Sequence, residues 1–385
     1  KEIHALAKEK FGYSNSEKTL RNNIPFIKKK YDIYEKNTTD DTSGKDDATI
    51  EYLTRRNQIL MDQAKINRKI IRQNVRSHEI IENLFKDILS KLSKINFEIE
   101  NEEPDIKIID KTAIISLSDL HFGETISSTD NGGYNMYGYE IASSRLKKYA
   151  YKIKDFLKDS VSSITIAFMG DLINSDRRID ELLGNDGSVA EALVKAVEIL
   201  SAFIKDLAID YDITVVSVLG NESRINRDVP MSDPVNNFDF LIHKFLSELF
   251  RFTKVRFMNV DRSYEKLINI LGANILLTHG HTKITWDSAV KKYNKLGKIL
   301  HYMITAHLHS VHIKEQTSQN GSLSGNNFYG FHGINDIVDA SQTIYIVEKE
   351  VDGLPPTISP VIFNLQRIFG YEGYYFQKDV CKMKQ

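Results

Sequence analysis

The sequence predicts an α/β fold behind an N-terminal helical region. Three observations carry that prediction. Five short apolar runs of strand character are each followed at once by residues of metal-ligand type. Amphipathic stretches of helix length, such as Tyr139 to Leu157 and Val189 to Ala208, lie between them. Residues 1–98, in contrast, show helical periodicity and one polar linker.

Residues 1–35 read as a small helical unit. Ile3, Leu6 and Ala7 share a helical face, Gly12 stands where that helix would end, and Ser16 could cap a second helix carrying Leu20 and Ile24. That layout is the layout of a helix-turn-helix, and residues 1–31 carry eight Lys/Arg against three acidic residues. A DNA-binding unit and a solvated helical piece both remain open. Residues 36–49, polar with four Asp and Gly44, read as a flexible linker.

Residues 50–98 carry a long apolar stripe (Ile59, Leu60, Ile66, Ile70, Ile81, Leu84, Ile88) with no Pro or Gly. A helix of that length cannot bury its stripe alone, so a homodimer through it, or packing along the rest of the chain, is expected. Between Arg55 and Arg76, the basic residues Arg55, Arg56, Lys65, Arg68, Lys69, Arg72 and Arg76 are opposed only by Asp62. The face they make is either solvated or a contact for nucleic-acid phosphates, DNA above all.

From about residue 107 the strands begin, and the α/β unit is expected over 107–350 with a C-terminal extension at 351–385. Val311 to Lys314 and Thr343 to Val347 read as further strands, separated by a Gly/Ser/Asn-rich stretch from Asn320 to Gly333.

Composition bounds the rest. With 385 residues, 41% of them hydrophobic, the chain can bury a large core and hold more than one unit. A formal net charge of −1 gives no global sign of nucleic-acid binding. The lone Cys381 excludes an internal disulfide and a thiolate zinc cluster. No apolar run approaches a membrane span, so no membrane partner is expected. The start, Lys1-Glu2-Ile3-His4, is neither a signal peptide nor an initiator Met, which suggests trimming. A cytoplasmic protein is expected.

The five runs and their endings carry the chemistry. Thr112 to Ile115 leads to Asp119 and His121, and Ile164 to Met169 leads to Gly170-Asp171. Ile213 to Leu219 leads to Gly220-Asn221-Glu222, Ile275 to Thr278 to His279-Gly280-His281, and Tyr302 to Ala306 to His307-Leu308-His309. One such His would ordinarily be a hydrogen-bonded core residue. Five endings of this kind make a site.

In this order the motifs resemble the calcineurin-like metallophosphoesterase superfamily over roughly residues 110–350. The closest resemblance is to phage- and mobile-element-encoded members, with a more distant similarity to the Mre11/SbcD nucleases. The resemblance implies a two-sheet sandwich flanked by helices and two divalent metal ions, Mn by expectation, with Fe, Zn or Mg as alternatives. Asp119, His121 and His309 would hold one ion, Asp171 would bridge, and Asn221, His279 and His307 would complete the second. A thiolate-free set of imidazole and carboxylate ligands agrees with such ions.

Two positions depart from the family pattern. Ala306 stands where Gly is usual, and Glu222 where most members carry a His that contacts the phosphate and helps protonate the leaving group. A protonated Glu222 could act as that acid, and Arg224 could clamp a phosphate in its place. His281 could face substrate. Asn174 and Trp286 could stand at the pocket rim, and Arg177 and Arg178 could reach phosphates. His4, His243, His301, His312 and His332 match no motif.

The expected activity is metal-dependent hydrolysis of nucleic-acid phosphodiesters, that is, a nuclease. A phosphomonoesterase or small-nucleotide phosphodiesterase is one alternative. A DNA-binding or assembly protein with catalysis weakened at Glu222 is the other.

Overall fold

The computed structural model describes residues 110–376, apart from 175, 177–183, 226–235, 262, 328–329 and 332–336. The readings made for 1–35, 36–49 and 50–98, and for Arg177, Arg178, His4 and His332, lie outside the described residues.

Among the described residues there are eleven strands and four α-helices, several of them built from the runs read above. In chain order they are β1 (Lys111–Leu117), α1 (Tyr139–Leu157), β2 (Ser163–Phe168), α2 (Val189–Ala208), β3 (Asp212–Ser217), α3 (Phe238–Leu249), β4 (Arg256–Phe257) and β5 (Glu265–Ile270). After them come β6 (Ala273–Thr278), α4 (Trp286–Lys295), β7 (Tyr302–Thr305), β8 (His312–Ile313), β9 (Thr317–Gln319), β10 (Ser341–Glu348) and β11 (Thr357–Asn364). The bounds of α1 and α2 match their amphipathic stretches, and α2 opens on a Ser188/Glu191 capping box.

The strands form two sheets, one ordered β11-β10-β1-β2-β3-β4 and the other β5-β6-β7-β9-β8. β1 to β4 are parallel, as are β6, β7 and β9. Parallel strands are buried on both faces, which is why β1 reads as an unbroken apolar run rather than an alternating one. One face of the first sheet (Ile114, Ala167, Val216, Tyr345) packs on Ile275, Leu277, Tyr302 and Ile304 of the second. α4 covers the outer face of the second sheet through Ala289 and Tyr293 against Leu276 and Met303. The result is the two-sheet α/β arrangement that the resemblance implies.

The C-terminal boundary of the α/β unit needs correction. β11 pairs antiparallel with β10 along its whole length, so residues after 350 supply a strand of the first sheet. The chain then runs on along α1, where Ser143 Oγ donates to the Tyr374 carbonyl at 2.8 Å and Tyr374 Oη donates to Asp206 at 2.7 Å. Trp286 also differs from expectation. It packs with Leu276 and Ala289 under α4 rather than at a pocket rim.

His243 of α3 is buried, and its Nδ1 lies 2.6 Å from Ser217 Oγ. Burial pushes its pKa down to about 4, so the folded state keeps it neutral where the unfolded chain would protonate it. Its contribution to stability is therefore complete above pH ~6.5 and is lost as pH falls towards 4. We expect the native protein to lose on the order of 2 kcal/mol through this group between pH 7 and pH 5. Urea unfolding at both pH values should show that loss, and His243→Gln should remove it. An unchanged pH slope in the variant would contradict the assignment.

Candidate metal centre

All seven residues read as ligands stand just beyond strand ends, on one edge of the sandwich. Parallel strands deliver their C-terminal ends to the same side, so β1, β2 and β3 bring Asp119, His121, Asp171 and Asn221 together. β6 and β7 bring His279, His307 and His309 from the second sheet.

The loops are stitched to one another by the backbone. Asp119 N–H donates to the Gly170 carbonyl and His121 N–H to the Asp171 carbonyl, each at 3.1 Å. Asp119 Oδ2 accepts from His307 N–H at 3.2 Å, which joins the first sheet to the second. Five of the seven take left-handed backbone angles: Asp119 (φ 51°), His121 (45°), Asp171 (52°), His307 (77°) and His309 (63°). Non-glycine residues rarely adopt these angles, and their concentration here is the kind of stored strain that marks a working site.

Gly170 and Gly220 are required by close approach. A Cβ on Gly220 would meet Asp171 Oδ1 at 2.0 Å, and one on Gly170 (φ 92°) would meet Gly220 N at 2.6 Å.

Two groups of ligand atoms emerge, Asp119/His121/His309 and Asp171/His279/His307. In the first, His121 Nε2 lies 3.1 Å from His309 Nε2, and Asp119 Oδ1 lies 3.4 Å from His309 Nε2 and 3.9 Å from His121 Nε2. Donor atoms around an ion bound at about 2.0–2.2 Å are roughly 3–4 Å apart, so the triangle fits. In the second, Asp171 Oδ2 lies 2.9 Å from His279 Nε2.

The polar bookkeeping points the same way. Asp119 Oδ1 and Asn221 Oδ1 are buried without a hydrogen-bond partner, a costly state unless something cationic satisfies them. His279 Nδ1 lies 2.8 Å from the Met169 carbonyl, which fixes a proton on Nδ1 and turns Nε2 towards Asp171. Burial alone would raise Asp171 and lower His279. Their mutual contact instead holds Asp171 well below the usual carboxylate range and pushes His279 up to about 10. Each group is a set of imidazole and carboxylate donors that could hold a divalent ion.

The remaining site residues are placed as follows. Arg224 lies beside the Asn221 loop, its Nε donating to the Asn221 carbonyl at 3.1 Å. His281 packs edge-on against Tyr264, with ring centroids 4.7 Å apart, and neither of its ring nitrogens has a hydrogen-bond partner. Burial, then the His279 charge, push its pKa down to about 3, so it stands neutral. Glu222 donates its N–H to Asp171 Oδ1 at 2.7 Å, and its carboxylate takes the Asn221 amide at 2.6 Å. Ala306 is buried and its N–H donates to the His279 carbonyl at 2.9 Å. Asn174 donates to Asn185 at 2.7 Å.

Sequence reasoning missed Asp239 and the polar layer behind Asp119. Asp239, buried in the first turn of α3, accepts the N–H groups of Asp171, Leu172 and Gly220 at 3.1, 3.1 and 2.9 Å. Burial, then the nearby Asp171 charge, push its pKa up to about 6. On the other side, Ser322 Oγ donates to the Asp119 carbonyl at 3.0 Å, and Gln342 Oε1 accepts from Ser118 N–H at 3.0 Å. The only signal for the first was a capping Asn237 ahead of an apolar stripe, and for the second the Gly/Ser/Asn richness after Asn320.

Fold and site together define an α/β protein with a candidate dinuclear metal centre. No family model matches the chain, and no curated relative does. Among solved structures it is similar to the zinc complex of Vps29 from Entamoeba histolytica, at 13% identity over 66% of this chain and 99% of that one, with a TM-score of 0.28. It is also similar to a predicted phosphoesterase of Streptococcus pneumoniae, at 11% identity over 65% and 98%, with a TM-score of 0.26. The sulfate thiohydrolase SoxB of Thermus thermophilus matches at 8% identity over 70% and 58%, with a TM-score of 0.31. With scores and identities this low, none of these likenesses bears on function.

Proposed function

We propose that the chain is a dinuclear metal-dependent phosphoesterase that hydrolyses nucleic-acid phosphodiester bonds. The observation that carries the reading is the pair of ligand groups, Asp119/His121/His309 and Asp171/His279/His307, with buried Asp119 Oδ1 and Asn221 Oδ1 left without a hydrogen-bond partner. When bound, two divalent ions supply Lewis acidity to a phosphoryl oxygen and to water, and Mn is the ion we expect. Asp119, His121 and His309 would hold one ion, and Asp171, Asn221, His279 and His307 the other.

The chain's other groups serve the substrate. Arg224 offers a fixed guanidinium to a phosphate, and neutral His281 offers a ring nitrogen beside it. A nucleic-acid substrate is favoured by charge. Residues 282–298, which leave the site through His281 and form α4, carry five Lys against one Asp. Lys283, Lys291, Lys295 and Lys298 are exposed. The basic stretch 1–98 would add phosphate contacts, and its 50–98 stripe a homodimer contact.

The test is turnover by the full chain with Mn²⁺ on a long DNA, on bis(p-nitrophenyl) phosphate and on p-nitrophenyl phosphate. We expect hydrolysis of both diesters, with the DNA reaction falling steeply as salt rises and the small diester indifferent to it. Turnover of the monoester alone would replace the nuclease reading with a phosphomonoesterase. No turnover with DNA binding retained would leave a DNA-binding protein.

A further inference from the structure

We propose that Glu222 is a positioning residue that acts through Asn221, fixing which atom of the Asn221 amide faces the second ligand group. Asn221 Nδ2 donates to Glu222 Oε1 at 2.6 Å, while Asn221 Oδ1 is buried with no partner. An amide has one acceptor end and one donor end, and a half-turn about its last torsion exchanges them. The acceptor it meets here is Glu222 Oε1. Glu222 therefore takes the N–H end and leaves the oxygen for the pocket. The reversed amide would aim an N–H at the place where a cation is to bind.

The carboxylate is held in place for this task, because the Glu222 N–H is itself tied to Asp171 Oδ1 at 2.7 Å. One residue thus braces two ligands of the same ion, one through its backbone and one through its side chain. This gives the acidic residue a purpose at a position facing a phosphate, where its charge alone would be unfavourable. Partners of this kind typically govern metal affinity by about 10–100-fold.

The inference rests on the dinuclear reading above, and the experiment separates the two. Mn²⁺ binding to the full chain is followed by calorimetry and by the electron paramagnetic resonance signal of a coupled Mn pair, in the native protein and three variants. Glu222→Gln presents a donor as well as an acceptor to the Asn221 amide, so the second ion should bind more tightly than in Glu222→Ala and no more tightly than in the native protein. Glu222→Ala should bind the first ion normally and the second about 10–100-fold more weakly, with loss of the coupled signal.

The double variant Asn221→Asp/Glu222→Ala should recover the second ion, because a carboxylate presents an oxygen whichever way it turns. A native protein that binds fewer than two ions would overturn the dinuclear reading itself. Native-like binding of the second ion by Glu222→Ala would overturn the positioning role alone. So would a Glu222→Gln as damaged as Glu222→Ala, or a double variant that recovers nothing. Circular dichroism of each variant distinguishes a lost ion from a lost fold, and the double variant keeps the question decidable if Glu222→Ala folds poorly.

Discussion

On the phosphoesterase reading proposed above, Asp171→Ala should abolish hydrolysis and remove both ions as a coupled pair. The expectation follows from where its two oxygens lie. Oδ2 is 2.9 Å from His279 Nε2 in the second ligand group, and Oδ1 takes the Glu222 N–H at 2.7 Å. The backbone of the same residue holds the first group, since its carbonyl accepts the His121 N–H at 3.1 Å. Removing the carboxylate leaves two imidazoles in the second group with no charge to offset an ion there. A Lewis acid in this role is worth several kcal/mol of transition-state stabilisation, so the rate should fall about 10³-fold or more. Asn221→Ala should be milder, keeping the first ion and weakening the second. Elemental analysis beside turnover checks both. Two ions retained at native affinity in Asp171→Ala would show that this carboxylate does not join the groups.

Asp239→Ala should be among the most destabilising single changes in the α/β unit, although Asp239 belongs to no ligand group. Its carboxylate alone accepts three buried N–H groups, those of Asp171, Leu172 and Gly220, and so ties β2's loop to β3's. Each N–H left buried and unpaired costs about 1–3 kcal/mol, which sums to a loss of about 3 kcal/mol or more. The glycines cannot absorb the change, because Gly170 and Gly220 already sit within atomic contact of each other. Asp239→Asn keeps the shape and one acceptor oxygen, so it should lose less stability while loosening the Asp171 loop. Urea unfolding of the metal-free proteins measures the first effect and Mn²⁺ titration the second. A destabilisation of Asp239→Ala below about 1 kcal/mol would mean that water or a neighbour replaces the carboxylate.

The candidate ligand residues could be read from the sequence because each is a local event. An apolar run long enough to be a strand, followed within a few residues by Asp, Asn or His, needs no knowledge of distant neighbours. Five such events in order also indicated the α/β class, since parallel strands are apolar throughout and helices must connect them. The lengths of α1 and α2 were equally local, set by 3.6-residue periodicity and by the Ser188 cap.

What the tertiary structure decided is how these pieces are held and oriented. β11 carries Pro360 at its middle, so it reads as a tail until its pairing with β10 is known. Asp239 is 68 residues from the Asp171 whose N–H it accepts, and Ser322 is 203 residues from the Asp119 carbonyl it donates to. Buried polar groups are satisfied by whichever backbone the fold brings near, and that pairing has no period along the chain. The same holds for Glu222. From sequence it is an acid where a His was expected. Its carboxylate takes the Asn221 amide, and only the folded loop shows that neighbour.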